Sequence, residues 1–276
     1  MAWRSKAVSQ PQSTETSSRA GLGDVRLVAH QVRYEQLAFW LNRVGAIFTV
    51  GFSVVFLVLL GASASNSRIS FMGNIKLIDY YVPGFVAYGV MSACFTTLAT
   101  TLVVRRETGL LKRLRLSPLP TWVLLTSIFV STMIVVLVQV VLLLIIGRFG
   151  YAVHFPQEWA AFVVVLVVGI VSFSAMGVAM STAVPNQESA GPVTSIVFFV
   201  LLFLSGLWFP LKPTSGLAKF SNYFPIHHFI LAVAAPFDFQ AGVSPWAWHD
   251  LLIVAIWGGG ATVVALRRFR WTPRRS

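Results

Sequence analysis

Charge is scarce in this chain. Nine Asp and Glu face 21 Lys and Arg, and together they make up only 11% of 276 residues. A water-soluble domain of that length needs far more polar surface, so the composition excludes an ordinary soluble fold. Cysteine is almost absent: Cys94 stands alone in an apolar run, which excludes an intrachain disulfide and reads as a small buried hydrophobe. A nucleotide-binding loop is missing too. None of the five lysines follows a glycine, so no Gly-Lys-Ser/Thr cradle for phosphates can form. Neither H-E-x-x-H nor G-x-S-x-G occurs. Residues 1–23 have no apolar core and read as a disordered tail, not a signal peptide.

What remains is oil. Hydrophobic residues are 56% of the chain and the mean hydropathy is +0.76. A bilayer core of about 30 Å takes roughly 20 apolar residues as a helix. Six runs qualify, at about 44–61, 83–104, 121–146, 160–184, 192–209 and 246–266. The sixth carries Asp250 near its start and the triplet Gly258, Gly259, Gly260, which fits close helix packing better than phosphate binding. An even number of spans puts both ends on one side. Sixteen of the 21 basic residues lie in the 1–43 segment, the 105–118 loop and the tail after 266, leaving Arg68, Lys76, Arg148, Lys212 and Lys219 for the other side. The excess of Lys and Arg marks the cytoplasmic side, so both termini are expected in the cytoplasm. The net charge of +12 is thereby explained by topology, and no nucleic-acid partner is expected. The domain reading is a tail over 1–23, a single membrane domain over 24–270 and a cytoplasmic tail over 271–276.

The first five spans hold no ionisable residue near their centres. Intramembrane acids and bases mark ion-coupled carriers, and their scarcity argues against one. Gln139, Ser172, Ser174, Thr194 and Ser205 are the polar groups left. They read first as hydrogen-bonding glue between helices and second as cargo contacts. The pattern describes a pathway without an energy source of its own. Either another chain powers it, or it is a passive channel or a secondary carrier.

Three segments outside the spans carry information. Residues 24–43 form an amphipathic helix, with Val25, Val28, Ala29, Val32, Phe39 and Trp40 on one side and Gln36 intruding on that stripe. It reads as an interfacial helix on the cytoplasmic surface, close to lipid headgroups. The stretch VVRRETGLLKRLRLSP, 103–118, carries Arg105, Arg106, Glu107, Lys112, Arg113 and Arg115 between two apolar runs. As a helix it would put Leu110, Leu111 and Leu114 on one face, and Ser117 and Pro118 would end it. It is either a protein-docking helix or a loop that only fixes orientation. The segment between the fifth and sixth spans is too apolar for an exposed loop and too broken by prolines to cross, which suggests short re-entrant helices packed against protein. Gly206 and Pro210 should end or kink the fifth helix. His227 and His228, adjacent on a helix, point about 100° apart and should not converge on one ion. His154, His249 and His30 have no ligand partners near them in sequence and read as structural.

The whole pattern resembles the permease subunits of ABC-2-type ATP-binding-cassette exporters. Arg106, Glu107, Gly109, Leu114, Ser117 and Pro118 match that family's first-loop motif R-E-x-G-T-x-x-x-L-x-x-[ST]-P, with Leu110 in place of the common Thr. FLSGLWFPL, VPNQESAGPV and PIHHFILAV resemble its fifth-span end, second cytoplasmic loop and outer segment. The resemblance implies an all-α membrane protein with six transmembrane helices, an N-terminal amphipathic helix, a cytoplasmic coupling helix and an outer re-entrant segment. It implies a multi-pass permease of the bacterial plasma membrane that works with separate ABC ATPase subunits and a second permease subunit, identical or paralogous. ATP and Mg would bind the partner, and this chain would hold no cofactor, no metal and no catalytic residue. Arg105, Arg106, Glu107, Gly109, Leu110, Leu111, Leu114, Ser117 and Pro118 would couple to the ATPase. Gly206, Pro210, Pro225, His227 and His228 would belong to the outer gate. Short loops and Phe- and Val-rich spans look most like the daunorubicin-resistance-like exporters of amphiphilic or lipophilic drugs, antibiotics and lipids.

Overall fold

The computed structural model describes residues 16–64, 67–109, 121–212, 214–237 and 244–268. Among them, six helices are long and apolar enough to cross a membrane, as the hydropathy requires. A first helix, α1 (Thr16–Leu41), precedes them. The spans are α2 (Arg43–Ser63), α3 (Leu77–Glu107), α4 (Trp122–Tyr151), α5 (Trp159–Ala183), α6 (Gln187–Leu204) and, last, α9 (Trp248–Arg268). Between α6 and α9 lie two short helices, α7 (Gly216–Ser221) and α8 (Pro225–Ala234). A two-stranded antiparallel ribbon, β1 (Arg68–Ile69) with β2 (Ile75–Lys76), joins α2 to α3. The chain is an all-α, multi-pass membrane protein. One end of the bundle, the terminal end, holds α1, the end of α3 and the α5–α6 connection. The ribbon, α7 and α8 lie at the other, the hairpin end.

The boundaries move from the expected ones for local reasons. Helix α1 begins at Thr16, inside the stretch read as a disordered tail. Helix α3 begins at Leu77 and runs through Pro83, which lies in its second turn. Helix α6 begins at Gln187 because the side chain of Asn186 accepts a hydrogen bond from the Ser189 N–H at 2.9 Å, a helix N-cap. It stops at Leu204, short of residue 209, because Gly206 adopts φ +81°, the left-handed conformation that closes a helix.

Helix α3 is the axis of the bundle and the most buried span. Its Phe85, Val86, Met91 and Cys94 are fully enclosed. Around it an aromatic cluster joins Phe52 and Phe56 of α2, Tyr88 of α3 and Trp208 beyond α6. Both α2 and α3 contain a wide π-helical turn, at Ile47–Gly51 and Ser92–Thr97. Wide turns misalign backbone hydrogen bonds and need outside partners. Here α4 supplies one: the Gln139 amide donates to the Thr49 carbonyl at 3.2 Å and to Ser53 Oγ at 2.6 Å. Gly89 makes room for that amide, since a Cβ there would lie 2.3 Å from Gln139 Nε2. The hydroxyls of Thr49 and Thr97 meet at 3.2 Å and tie the two wide turns together. Gln139 therefore acts as glue and is not exposed to a pathway.

Of the glycine triplet in α9, one residue carries the packing. A Cβ on Gly258 would sit 2.5 Å from Ser172 Oγ and 2.8 Å from its Cα in α5, whereas Gly259 and Gly260 face open space. Gly258→Val should separate α9 from α5 and lower the thermal midpoint of the purified protein by several degrees, an overpacking cost of about 1–3 kcal/mol. Gly259→Val should leave it within error. Equal midpoints for the two variants would refute this packing.

Candidate functional site

The terminal end of α3 is where the expected coupling segment starts. Helix α3 ends at Glu107. Thr108 and Gly109 form the turn, with Gly109 at φ +71° and its N–H bonded to the Arg106 carbonyl at 3.1 Å. A left-handed glycine at this place closes the helix without a Cβ penalty. Leu110, Leu111, Leu114, Ser117 and Pro118 lie outside the described residues.

The two arginines that open the motif are engaged within the chain. Arg106 is 3% exposed. Its Nη1 and Nη2 donate to the carbonyls of Ser181 and Val184, at 3.0 and 2.8 Å, and its Nε to Glu107 at 2.7 Å. Ser181 and Val184 sit at the C-terminus of α5, where helical carbonyls lack partners. A guanidinium there satisfies those acceptors and complements the negative end of the helix dipole. Arg105 makes a bidentate pair with Glu35 of α1, Nη1 donating to Oε1 at 2.8 Å and Nη2 to Oε2. Fork-to-carboxylate pairs hold direction as well as charge. The end of α3 is thus fastened to α1 by one arginine and to α5 by the next.

Glu35 was not among the residues singled out from the sequence. The stripe of α1 is rotated from the hydrophobic face expected: Gln31, Val32, Glu35, Gln36 and Phe39 face the bundle, while Val25 and Trp40 are exposed. Gln36, which interrupts the apolar stripe, donates to Ser131 of α4, to its carbonyl at 2.7 Å and its hydroxyl at 3.0 Å. The signal available was polar: Gln31, Glu35 and Gln36 recur at helical spacing, a pattern that suits a polar seam. A cavity of about 330 Å³ opens beside this seam, lined by Glu35, Phe39, Thr101, Arg105, Ser131 and others.

At the hairpin end, Gly206 and Pro210 follow the close of α6. The Gly206 carbonyl accepts from the Tyr80 hydroxyl at 2.9 Å, and Leu207 packs so tightly on α3 that a Cβ on Gly84 would lie 2.5 Å from it. Pro225 occupies the first turn of α8, where a missing N–H costs nothing. The two histidines diverge, as their spacing requires. His227 Nδ1 meets the Ser205 carbonyl at 3.1 Å, and burial lowers its pKa. His228 turns the other way, with Nδ1 2.6 Å from Asp250 Oδ1 and Nε2 2.9 Å from the Asn222 carbonyl. Burial would lower the pKa of His228, but the Asp250 carboxylate and the Asn222 carbonyl together raise it. His249, read from the sequence as structural and without partners, stands beside that pair, its Nδ1 3.7 Å from Asp250 Oδ1. The packing of α8 on the head of α9 brings these groups together across some 20 residues, which local spacing cannot reveal.

Residues 63–267 match the family model described as ABC-2 family transporter protein. A Bacillus subtilis protein named as a transport permease, YvfS, is 21% identical over 177 residues, covering 63% of this chain and 70% of its own length. An Escherichia coli protein named as a multidrug ABC transporter permease, YbhR, is 26% identical over 199 residues. That alignment takes in 71% of this chain and 54% of YbhR, so this chain spans about half the length of that relative.

Proposed function

This chain belongs to the ABC-2 family of transporter proteins, and on that premise we propose that it is the membrane-spanning permease subunit of an ATP-driven exporter. ATP is hydrolysed on separate ABC ATPase chains, and a second permease, identical or paralogous, completes the pathway. The segment 105–118 is the coupling element, and the bundle sits in the bacterial plasma membrane with its terminal end in the cytoplasm. The excess of Lys and Arg at that end supports the orientation.

The observation that carries this reading is the double fastening of α3. A push on the segment after Gly109 reaches the most buried span directly. Through Arg105–Glu35 and Arg106–Ser181/Val184 it reaches α1 and α5 as well. Such an arrangement lets one surface event bias the packing of several spans between two states. With both arginines engaged internally, the surface left to the ATPase is the segment beyond Gly109, so the leucine face proposed for Leu110, Leu111 and Leu114 makes the contact. The pathway takes an amphiphilic or lipophilic cargo of drug, antibiotic or lipid type. The scarcity of ionisable groups in the spans supports that choice, and so does the printed name of the Escherichia coli relative.

The test is gentle purification from the native membrane. An ABC ATPase should accompany the chain in about equal amount, with vanadate-sensitive ATP hydrolysis. Glu107→Lys combined with Leu111→Asp should abolish ATP-driven export while the chain still inserts. Purification alone without hydrolysis, or export at the parent rate in the double variant, would overturn the reading.

A further inference from the structure

We propose that His228, His249 and Asp250 form a binding site for a zinc-type divalent metal ion, which staples α8 to the head of the last span. Each residue offers one donor: an imidazole nitrogen of His228 from α8, and an imidazole nitrogen of His249 and an Asp250 carboxylate oxygen from the first turn of α9. All three lie within 4.8 Å of one another. Two imidazoles and one carboxylate are a donor set that suits zinc, with a fourth position left for water.

The site is oriented from behind. A carbonyl only accepts, so His228 Nε2, 2.9 Å from the Asn222 carbonyl, carries the ring proton and donates it there. That contact fixes the ring and aims Nδ1 at Asp250, which is the outer hydrogen bond that metal-bound imidazoles ordinarily make. Asn222 caps α7, so a third element holds the ring in place.

The spacing fits once the exposed His249 ring swings in. Tetrahedral ligands at about 2.0–2.2 Å from a metal stand roughly 3.3 Å from one another. His228 Nδ1 and Asp250 Oδ1 at 2.6 Å must part slightly, and His249 Nδ1 at 3.7 Å must close slightly. The residue that must move most freely is able to, because the His249 side chain is 80% exposed. A cavity of about 480 Å³, lined by Tyr80, Trp248, His249 and Asp250 among others, adjoins the cluster and gives room for the fourth ligand. His227 takes no part, since its ring is directed to Ser205. Two packed segments whose polar link is the His228–Asp250 pair would thus also be held by an ion with three arms, whatever drives transport through the bundle.

The full-length chain, purified in detergent on an affinity tag without histidine, is titrated with Co²⁺ and then with Zn²⁺. One Co²⁺ per chain should bind with the strong visible absorption of a four-coordinate site, and Zn²⁺ should displace it. Zn²⁺ should also raise the thermal midpoint by mass action. His249→Gln changes an exposed side chain and should fold as the parent does. It should weaken metal binding by ~10-fold or more and cancel the midpoint shift. No four-coordinate band in the parent overturns the assignment, and so does a His249→Gln protein that binds as tightly as the parent.

Discussion

Gly177→Val should leave almost no folded protein in the membrane extract. Gly177 lies in α5 where that helix crosses the wide turn of α3. A Cβ at this position would fall 2.5 Å from the Cys94 carbonyl oxygen, 2.9 Å from that of Phe95 and 3.2 Å from Phe95 Cα. All three are backbone atoms in the most buried part of the bundle, so no side chain can swing aside. Overpacking of a responsive core costs about 1–3 kcal/mol, and a backbone wall gives less than a responsive core does. Helices in lipid associate by close packing of small residues, so losing the approach loses the association. The measurement is size-exclusion of a fluorescently tagged protein in detergent, with Gly191→Ala as control, since nothing lies within 4 Å of a Cβ at Gly191. The control should elute as the parent does, and Gly177→Val in the void. A monodisperse Gly177→Val peak would contradict the crossing of α5 on α3.

Arg106→Ala should be the most damaging change at the terminal end. It strips the Ser181 and Val184 carbonyls of their donor and leaves Glu107 without its ion pair. Each buried group left unsatisfied costs about 1–3 kcal/mol, and removing one partner of a buried pair costs about 3–5 kcal/mol. The thermal midpoint should fall by well over 5 °C, and ATP-driven export should be lost in whatever protein remains. Arg106→Lys keeps the charge but presents a point donor in place of a planar fork, so it should recover part of the stability and little of the export. If Arg106→Ala unfolds at the parent temperature, the fastening of α3 to α5 is not real.

Much of this was legible in the sequence, because membrane proteins state their fold in simple terms. Twenty apolar residues in a row can do little in a bilayer except span it, so all six spans were visible. Spacing alone also separated His227 from His228. Where reading failed, the missing information was tertiary. Glu35 looked like one more polar residue on a surface helix until Arg105 was placed opposite it. Arg105 and Arg106 looked like charges offered to a partner, but an arginine beside a helix C-terminus is drawn inward by unpaired carbonyls. The end of α6 turned on the left-handed backbone at Gly206, and its start on the cap at Asn186, neither of which hydropathy registers. His249 joined His228 and Asp250 only through the docking of α8 on α9.

The wide turns in α2 and α3 have a meaning that can be put in terms of phase. A π turn is an α-helix carrying one surplus residue, and each residue of an α-helix advances the azimuth by about 100°. Everything beyond Ser92–Thr97 in α3 is therefore rotated by that amount from where an unbroken helix would put it. Arg105 and Arg106 point at Glu35 and at the end of α5 because of this offset. Deleting one residue from that turn should convert it to an ordinary α turn and keep both guanidinium groups on their present neighbours, whereas regularising the turn with all its residues kept would swing them about 100° away. The alignment of the terminal end with the rest of the bundle is thus set some ten residues away, by a single wide turn in the middle of the membrane.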